Sequence, residues 1–354
     1  MTVYTKSPEV EIVEEKQYDG QALKEALKSA ESVLESRVEE LNSLNVFPVP
    51  DGDTGINMYL TLQSATEAVK DVSTSSAAEI ASKAAMGALM GARGNSGVIL
   101  SQIFRGLAKG LEMKERFTAF DFAQALRHAS ETAYRAISDP VEGTILTVIR
   151  ETSEATVKGT RRGNNLKQTL TLAASQAKKT VTKTPEMLVV LKDAGVVDAG
   201  GKGLFYIFLG MKNYFTKKMD PIGGYNVLSQ QTRLGDETLV YGFDLQFLVE
   251  GDNLPVNQMR EKIDTMGESA LVVGDENLVR VHIHTKDTQA VMDYCATKGS
   301  LKDIVKENLD DQVKAVHQKK LKAEVDTPVI SCQCTRAKSV RPRNIKLKNQ
   351  AASL

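Results

Sequence analysis

The sequence has little of what marks several protein classes. Its 354 residues include three cysteines and no tryptophan, and so few cysteines exclude a disulfide scaffold and fit a reducing compartment. No segment has the run of about 20 apolar residues that spans a membrane. Basic and acidic residues number 45 each, a balance that argues against a nucleic-acid partner. We expect a cytoplasmic protein of about two domains, without an integral membrane segment.

The charges that are present are unevenly distributed. Residues 327–354 carry six basic side chains and no acidic one, whereas residues 1–326 carry 39 basic and 45 acidic side chains. The basic segment also lacks helical or strand periodicity. The pattern therefore predicts a disordered tail.

Hydrophobic periodicity divides the rest of the chain into two parts. Apolar residues recur at helical spacing up to residue 216, and alternating strand patterns follow Pro221. The predicted fold class is mainly α, an eight-helix antiparallel barrel or bundle followed by a small α+β ferredoxin-like domain. The predicted parts are an N-terminal extension (1–19), a helical domain (20–216), a linker (217–236), the α+β domain (237–308), a helical connector (309–326) and the tail.

An acidic loop precedes one of the predicted helices. In the segment LNVFPVPDGDTGINM, Asp51 and Asp53 place two carboxylates two residues apart, and Asn45 offers another side-chain oxygen. Mg²⁺ takes oxygen ligands of this kind together with substrate phosphates. The helix that begins near Thr54 would offer free N–H groups to a phosphate. A solvated turn is the alternative reading of this segment.

Glycine-rich loops occur at three further helix boundaries. In GALMGARGNSGVILSQ, glycines surround Arg93, Asn95 and Ser96 just before an apolar helix. Glycine lets the backbone approach a ligand closely, and a helix N-terminus favours anions. An ordinary helix–loop–helix corner is the alternative. The weaker segments 139–144 and 193–203 resemble this loop, and if all these loops meet at one end of a barrel, they form a single nucleotide pocket.

Two histidines and an aspartate form a candidate metal site in the α+β region. His282 and His284 alternate along one strand, so both side chains lie on the same face of the sheet. Asp244 lies on the predicted neighbouring strand. An aspartate with two histidines is an acceptable Zn²⁺ set that lacks one ligand.

Four ordered motifs carry a specific resemblance. FPVPDGDTGINM, GARGNSGVILSQ, DPVEGTILTVIRE and DAGVVDAGGKG resemble, in order and spacing, those of the catalytic subunit of bacterial fatty acid kinase. The N-terminal part of that family is similar to the ATP-binding L subunit of dihydroxyacetone kinase. The resemblance covers about residues 20–320. It implies a helical nucleotide-binding kinase domain that binds ATP through two Mg²⁺ ions.

The resemblance also implies roles for single residues. Asp51 and Asp53 would be magnesium ligands, and Asn45 stands where dihydroxyacetone kinases have a third aspartate. Residues implied to cradle phosphates are Thr54, Gly55, Asn57, Asn95 and Ser96. Residues implied to line the nucleoside side are Gly143, Thr144, Asp198, Ala199 and Gly200.

The implied reaction is the phosphorylation of a fatty acid, bound to a carrier protein, to an acyl phosphate for phospholipid synthesis. A fatty acid carboxylate is already ionised at pH 7, so it needs no general base to attack phosphorus. The enzyme must instead supply in-line positioning and neutralisation of charge. Arg93 is a candidate for stabilising that charge, and a loop-packing role is equally open.

The chain departs from the family in two places. The family holds a zinc ion with two histidines and a cysteine, and Asp244 stands where that cysteine belongs. Relatives also continue into a third, partner-docking domain, so the resemblance implies a C-terminally truncated chain. The family further suggests a homodimer. Two other readings stay open, a kinase of a small hydroxy compound such as dihydroxyacetone and a non-catalytic nucleotide-binding remnant.

Overall fold

The computed structural model describes residues 16–217 and 242–325. The predicted tail and almost all of the predicted linker and N-terminal extension lie outside these residues. Described residues up to Val316 belong to one compact unit. None of the described helices has both the length and the apolar character needed to cross a bilayer.

Ten helices make up the described part of the chain before residue 218. In chain order they are α1 (Gly20–Glu35), α2 (Val38–Leu44), α3 (Thr54–Glu67), α4 (Ala77–Met90), α5 (Gly94–Gly110), α6 (Ala119–Arg135), α7 (Ile145–Thr160), α8 (Leu166–Met187), α9 (Val189–Asp193) and α10 (Ala199–Thr216). Two short strands, β1 (Tyr18–Asp19) and β2 (Arg116–Phe117), pair antiparallel.

The helices pack in sequence around one apolar core. From α3 to α8 each long helix contacts the next along the chain, and α10 packs against both α8 and α1. Their buried faces are rich in alanine and leucine, as in α1, where Leu23, Leu27 and Leu34 are buried at helical spacing. This part is mainly helical, as predicted. The closed eight-helix barrel stays a prediction.

The second part folds in the order that the sequence predicts, which is strand–helix–strand–strand–helix–strand. Its elements are β3 (Phe243–Glu250), α11 (Val256–Asp264), β4 (Glu268–Gly274), β5 (Leu278–Thr285), α12 (Thr288–Ala296) and β6 (Ser300–Asn308), followed by α13 (Leu309–Val325). The strands form one antiparallel sheet in the order β4-β5-β3-β6. Here we refer to these strands with α11 and α12 as the sheet region, and to α1–α10 as the helical region.

Three helix boundaries differ from the sequence prediction. The sequence predicts a continuous first helix, but α1 ends at Glu35 and α2 begins at Val38. The sequence predicts Ser75 as the cap of the alanine-rich helix, but the hydroxyl of Ser76 caps α4. The sequence predicts a helix from residue 203, but α10 begins at Ala199. Its early glycines are needed for close packing, because a Cβ on Gly203 would lie 2.5 Å from the Met58 sulfur.

The two regions share a small apolar cluster. Leu271 and Val273 of β4 are buried with Leu89, Ala92 and Val98 from α4, α5 and the loop between them. Polar contacts surround this cluster. The Arg280 side chain donates to the carbonyl of Ala92, and Arg105 donates to the carbonyl of Gly274. The sheet region is thereby held against the end of the helical region that carries the glycine-rich loop.

Candidate active site

Four helices direct their N-termini at the same place. Cavity-lining residues come from the first turns or N-caps of α3, α5, α7 and α10, and they are Thr54, Asn95, Ser96, Thr144, Ile145, Asp198 and Gly200. The N-terminal N–H groups of a helix have no partner within the helix, and its dipole places partial positive charge there. Four such ends together favour a strongly anionic ligand.

The acidic loop between α2 and α3 lies beside these helix ends. Asp51 and Asp53 line a small compartment next to the larger cavity, and Thr54, Asn95 and Ser96 line both. Asn45 is buried and its side-chain amide donates to Asp51. The predicted acidic and glycine-rich loops therefore meet at one end of the helical region.

The two carboxyls of the acidic loop affect each other's ionisation. Burial and the nearby charge of Asp53 raise the pKa of Asp51 to about 9, and burial also raises the pKa of Asp53. Two neighbouring carboxyls repel each other when both are ionised, which favours a proton on one of them. A divalent cation replaces such a proton, since two carboxylates that repel each other become favourable when both bind a metal. The residues present thus fit Mg²⁺.

The glycine-rich loop is fixed by contact with the sheet region. Gly94 has a φ of 55°, and a Cβ at this position would lie 2.3 Å from the Asn57 side-chain nitrogen. The Gly94 N–H donates to Gln246 Oε1 at 3.0 Å. The Gln246 amide in turn donates to Asp244 Oδ2 at 2.7 Å. A chain of hydrogen bonds therefore runs from the first turn of α5 to Asp244.

The larger cavity extends from the acidic loop toward α7 and α10. Its volume is about 420 Å³, and apolar side chains such as Ile99, Ile137 and Leu146 form much of its wall. Asp198 is the N-cap of α10, where its carboxylate accepts from the Gly201 N–H at 2.6 Å. Burial raises the pKa of Asp198 to about 7.

Asp244, His282 and His284 are buried together and open onto the same small compartment as Asp51 and Asp53. One potential ligand atom from each lies within 4.8 Å of the others. Both ring nitrogens of His282 are buried without a hydrogen-bond partner, although Nδ1 is 3.0 Å from Asp244 Oδ1. Burial lowers the pKa of His284 to about 4, so its imidazole is neutral and able to bind a metal.

Asp244 is ionised within this cluster. Burial alone would raise the pKa of its carboxyl, but the neighbouring histidines and the Gln246 amide outweigh burial and lower it. One carboxylate and two imidazoles, with unpartnered buried atoms, fit a divalent transition metal. We refer to Asp244, His282 and His284 as the histidine cluster.

Four predicted site residues do not line these two cavities. Arg93 is exposed, and Ala199 is buried behind Asp198 in the first turn of α10. The N–H of Gly55 donates to the Asn42 side chain at 2.8 Å. Gly143 has a φ of 85° and its N–H donates to Thr147. The roles predicted for all four stay predictions.

Sequence reasoning missed two positioning residues, and it missed the short distance between the histidine cluster and the acidic loop. Asn42 lies near the end of α2, and its side-chain oxygen accepts from the N–H groups of Gly55 and Ile56 in the first turn of α3. Gln246 alternates with Asp244 on its strand, a signal that marks a shared face but not a contact with α5. The sequence gives no sign that the histidine cluster lies near the acidic loop, and the structure places both in one compartment.

Family models match both regions of the chain. Residues 48–213 match the DAK2 domain. Residues 240–316 match the FakA-like middle domain, which is named after fatty acid kinase. The first match contains Asp51, Asp53 and all four helix N-termini, and the second contains the histidine cluster.

Similar proteins occur in Bacillus and Staphylococcus. The protein YloV of Bacillus subtilis is 35% identical over 326 residues, 88% of this chain and 59% of that protein. An uncharacterized protein of Staphylococcus saprophyticus is 36% identical over 85% of this chain and 57% of its own length. The chain thus spans less than two thirds of the length of these relatives.

A distant likeness links the chain to a solved kinase structure. The dihydroxyacetone kinase of C. freundii, solved with AMP-PNP and Mg²⁺, matches 60% of this chain and 37% of its own, with 17% identity and a TM-score of 0.43. The family matches support a kinase-like role. The chain combines a region that matches the DAK2 domain with one that matches the FakA-like middle domain.

Proposed function

We propose that the chain is an ATP- and Mg²⁺-dependent phosphotransferase that phosphorylates a fatty acid carboxylate to an acyl phosphate. The observation that carries the proposal is the meeting of four helix N-termini with the Asp51–Asp53 pair. Helix N-termini favour an anion, whereas paired carboxylates favour a cation. A metal-chelated polyphosphate satisfies both at once, and a free anion or a free cation satisfies one of them.

The residues divide the work of phosphoryl transfer. In the proposed complex, Asp51 and Asp53 would hold two Mg²⁺ ions, the number that the family resemblance implies. The ions would supply neutralisation of the phosphate charge. Asn45 orients Asp51 through its amide. The first turns of α3 and α5 position the phosphates, with Asn95 and Ser96 exposed to the cavity. Thr144, Asp198 and Gly200 line the nucleoside end.

A carboxylate acceptor fits the division of roles among the ionisable residues. Asp51 and Asp53 are assigned to the metal, and the proposal uses none of Asp139, Asp198 and Asp264, which line the larger cavity, to remove a proton from the acceptor. A fatty acid needs no such base, because it is ionised at neutral pH. A hydroxy substrate such as dihydroxyacetone would need one. We therefore favour the fatty acid, presented by a carrier protein in the cytoplasm, where ATP is available.

The histidine cluster is proposed to hold a zinc or related divalent ion. The ion would link β3 to β5 and satisfy the buried imidazole nitrogens of His282. Because Gln246 joins Asp244 to Gly94, an ordered cluster would also order the glycine-rich loop. We further propose that the long helices close into the eight-helix barrel and that two copies form a homodimer.

A trapping assay tests the proposed function. The chain is incubated with ATP, Mg²⁺, oleate and a fatty-acid-binding carrier, and hydroxylamine converts acyl phosphate to a stable hydroxamate. We expect hydroxamate that depends on Mg²⁺, oleate and carrier. Phosphorylation of dihydroxyacetone without hydroxamate would favour the small-substrate kinase, and ATP binding with no transfer to either acceptor would favour the non-catalytic remnant.

A further inference from the structure

The sheet region forms one wall of the larger cavity. Five cavity-lining residues come from the end of α11 and the start of β4, and they are Asp264, Gly267, Ser269, Ala270 and Leu271. The opposite wall comes from α5, α7 and the loop that precedes α7. Here residues 264–271 are called the α11–β4 segment. The helical region alone would leave this side of the cavity open to water.

The α11–β4 segment is held in place by contacts at both ends. The Ser138 hydroxyl donates to Asp264 Oδ2 at 2.5 Å, which fastens the segment to the loop before α7. The Thr285 hydroxyl donates to the carbonyl of Met266 at 2.8 Å. Gly267 packs so closely on β5 that a Cβ would lie 2.3 Å from the His284 carbonyl oxygen. The segment is therefore a fixed wall.

An irregular strand start turns the wall toward the cavity. The β4–β5 register shifts between Glu268 and Leu271, and Ser269 has a φ of 52°. A bulge of this kind re-aims side chains next to a site. As a result Ser269, Ala270 and Leu271 all line the cavity, whereas a regular strand would direct alternate residues to opposite faces.

The charges of the lining residues decide which part of a ligand this end accepts. The ionisable lining residues are Asp139, Asp198 and Asp264, and no lysine, arginine or histidine of the described residues lines the larger cavity. Asp139 follows Ser138 in the chain, and Asp264 accepts from the Ser138 hydroxyl. Carboxylates repel a phosphate or a fatty acid head group but accept hydrogen bonds from hydroxyl and amino groups. Apolar walls beside them suit a flat ring.

We propose that the α11–β4 segment is the nucleoside-recognising wall of the site, so that both regions of the chain bind one nucleotide. This proposal rests on the proposed function. The phosphates lie at the first turns of α3 and α5, and the base and ribose lie between the apolar side chains of the helical region and residues 269–271. Asp264 accepts from a hydroxyl or amino group of the nucleoside, held in place by Ser138.

Calorimetric titration with two probes tests the proposal. The probes are AMP-PNP and inorganic tripolyphosphate, each with Mg²⁺, because they share phosphates and differ in the nucleoside. Ala270→Phe fills the cavity from the sheet side, and Asp264→Asn removes one carboxylate with little change of shape. Ala296→Phe and Asp252→Asn are the matched controls, since both positions are exposed in the sheet region.

We expect Ala270→Phe to weaken AMP-PNP binding by at least about tenfold and Asp264→Asn by a smaller factor. Tripolyphosphate binding should stay within about twofold of wild type in both. Unchanged AMP-PNP affinity in both variants would overturn the proposal, as would loss of oleate binding with AMP-PNP binding intact. Failure of the wild-type chain to bind either probe would overturn the proposed function as well.

Discussion

Asp198 is a buried carboxyl that serves a helix end. Burial raises its pKa to about 7, whereas an unfolded chain has an aspartate pKa near 4. The native state therefore binds more protons than the unfolded state between about pH 4 and pH 7. The stabilisation that comes with this proton is complete below pH 4 and is lost as the pH rises through about 7.

The first prediction concerns this proton. Asp198→Asn removes the titrating group, so the difference in unfolding free energy between wild type and variant should change with pH. Relative to wild type, the variant should gain up to about 4 kcal/mol between pH 4 and pH 8. Urea unfolding at several pH values measures this slope. A difference that does not vary with pH would show that Asp198 does not titrate in this range.

The second prediction concerns the metal preference of the histidine cluster. Thiolate is a softer ligand than carboxylate and favours zinc. Asp244→Cys should therefore raise zinc affinity by at least about tenfold, in line with the size of effects at metal ligands. Competition with a chromophoric chelator gives the dissociation constants. Asp252→Cys, at an exposed position, is the control, and equal zinc affinities of wild type and Asp244→Cys would contradict the assignment.

At the scale of elements, the glycine-rich loop packs closely against α3 at Gly94. Gly94 and Gly163 both have positive φ values, 55° and 89°. A Cβ at Gly163 would meet nothing within 4 Å, but a Cβ at Gly94 would lie 2.3 Å from the Asn57 side chain. A comparison of the two positions therefore separates the cost of a left-handed backbone from the cost of placing a Cβ against a neighbouring side chain.

The third prediction uses this pair. Gly163→Ala should cost about 1–2 kcal/mol of stability, the conformational cost of a left-handed residue, and should not affect nucleotide binding. Gly94→Ala should cost more, because Asn57 must also move, and should weaken AMP-PNP binding by at least about tenfold. Thermal unfolding and calorimetry measure both effects. Equal effects of the two substitutions would mean that the space around Gly94 is not limiting.

The elements show how far sequence reasoning reaches. Periodic apolar residues predicted the helices, as did the caps, Thr118 for α6 and either Asn164 or Asn165 for α8, because these signals are local. The structure uses Thr118 and Asn165. The start of α10 was missed, since the glycines there favour a loop, whereas Gly201 and Gly203 pack closely against Val148 and Met58. Tertiary packing there overrides helix propensity.

The candidate site was also predictable only where its signals are local in the sequence. Each loop was recognisable from its residues, and the expectation that several meet at one end agrees with the cavity lining. The approach of the histidine cluster to Asp51 was not predictable. It depends on how Arg280 and Leu271 pack against α5 and the loop before it, and these contacts join residues far apart in the sequence.

At the scale of the whole molecule, the two regions act as one binding unit in the proposed complex. Val272 and Val273 are adjacent and both almost fully buried, but they belong to different clusters. Val272 packs in the core of the sheet region, and Val273 packs against residues of the helical region. Truncation of either removes similar apolar contact.

The fourth prediction follows from this difference. Val272→Ala and Val273→Ala should each destabilise the chain by about 1–3 kcal/mol. Only Val273→Ala should also weaken AMP-PNP binding, by several-fold, because it loosens the contact that holds the α11–β4 segment over the cavity. Calorimetric titration at a temperature where both variants are folded measures the affinities. Identical affinities would mean that contact between the regions does not contribute to binding.

Asp51 and Asp53 are proposed to bind the metal of a metal-chelated nucleotide. Titration of AMP-PNP into the chain with and without Mg²⁺ tests it, with Asp53→Asn compared against Asp71→Asn, an exposed control. We expect Mg²⁺-dependent binding by wild type and Asp71→Asn, and at least about 100-fold weaker binding by Asp53→Asn. Binding that is equally tight without Mg²⁺, or unchanged in Asp53→Asn, would contradict the claim.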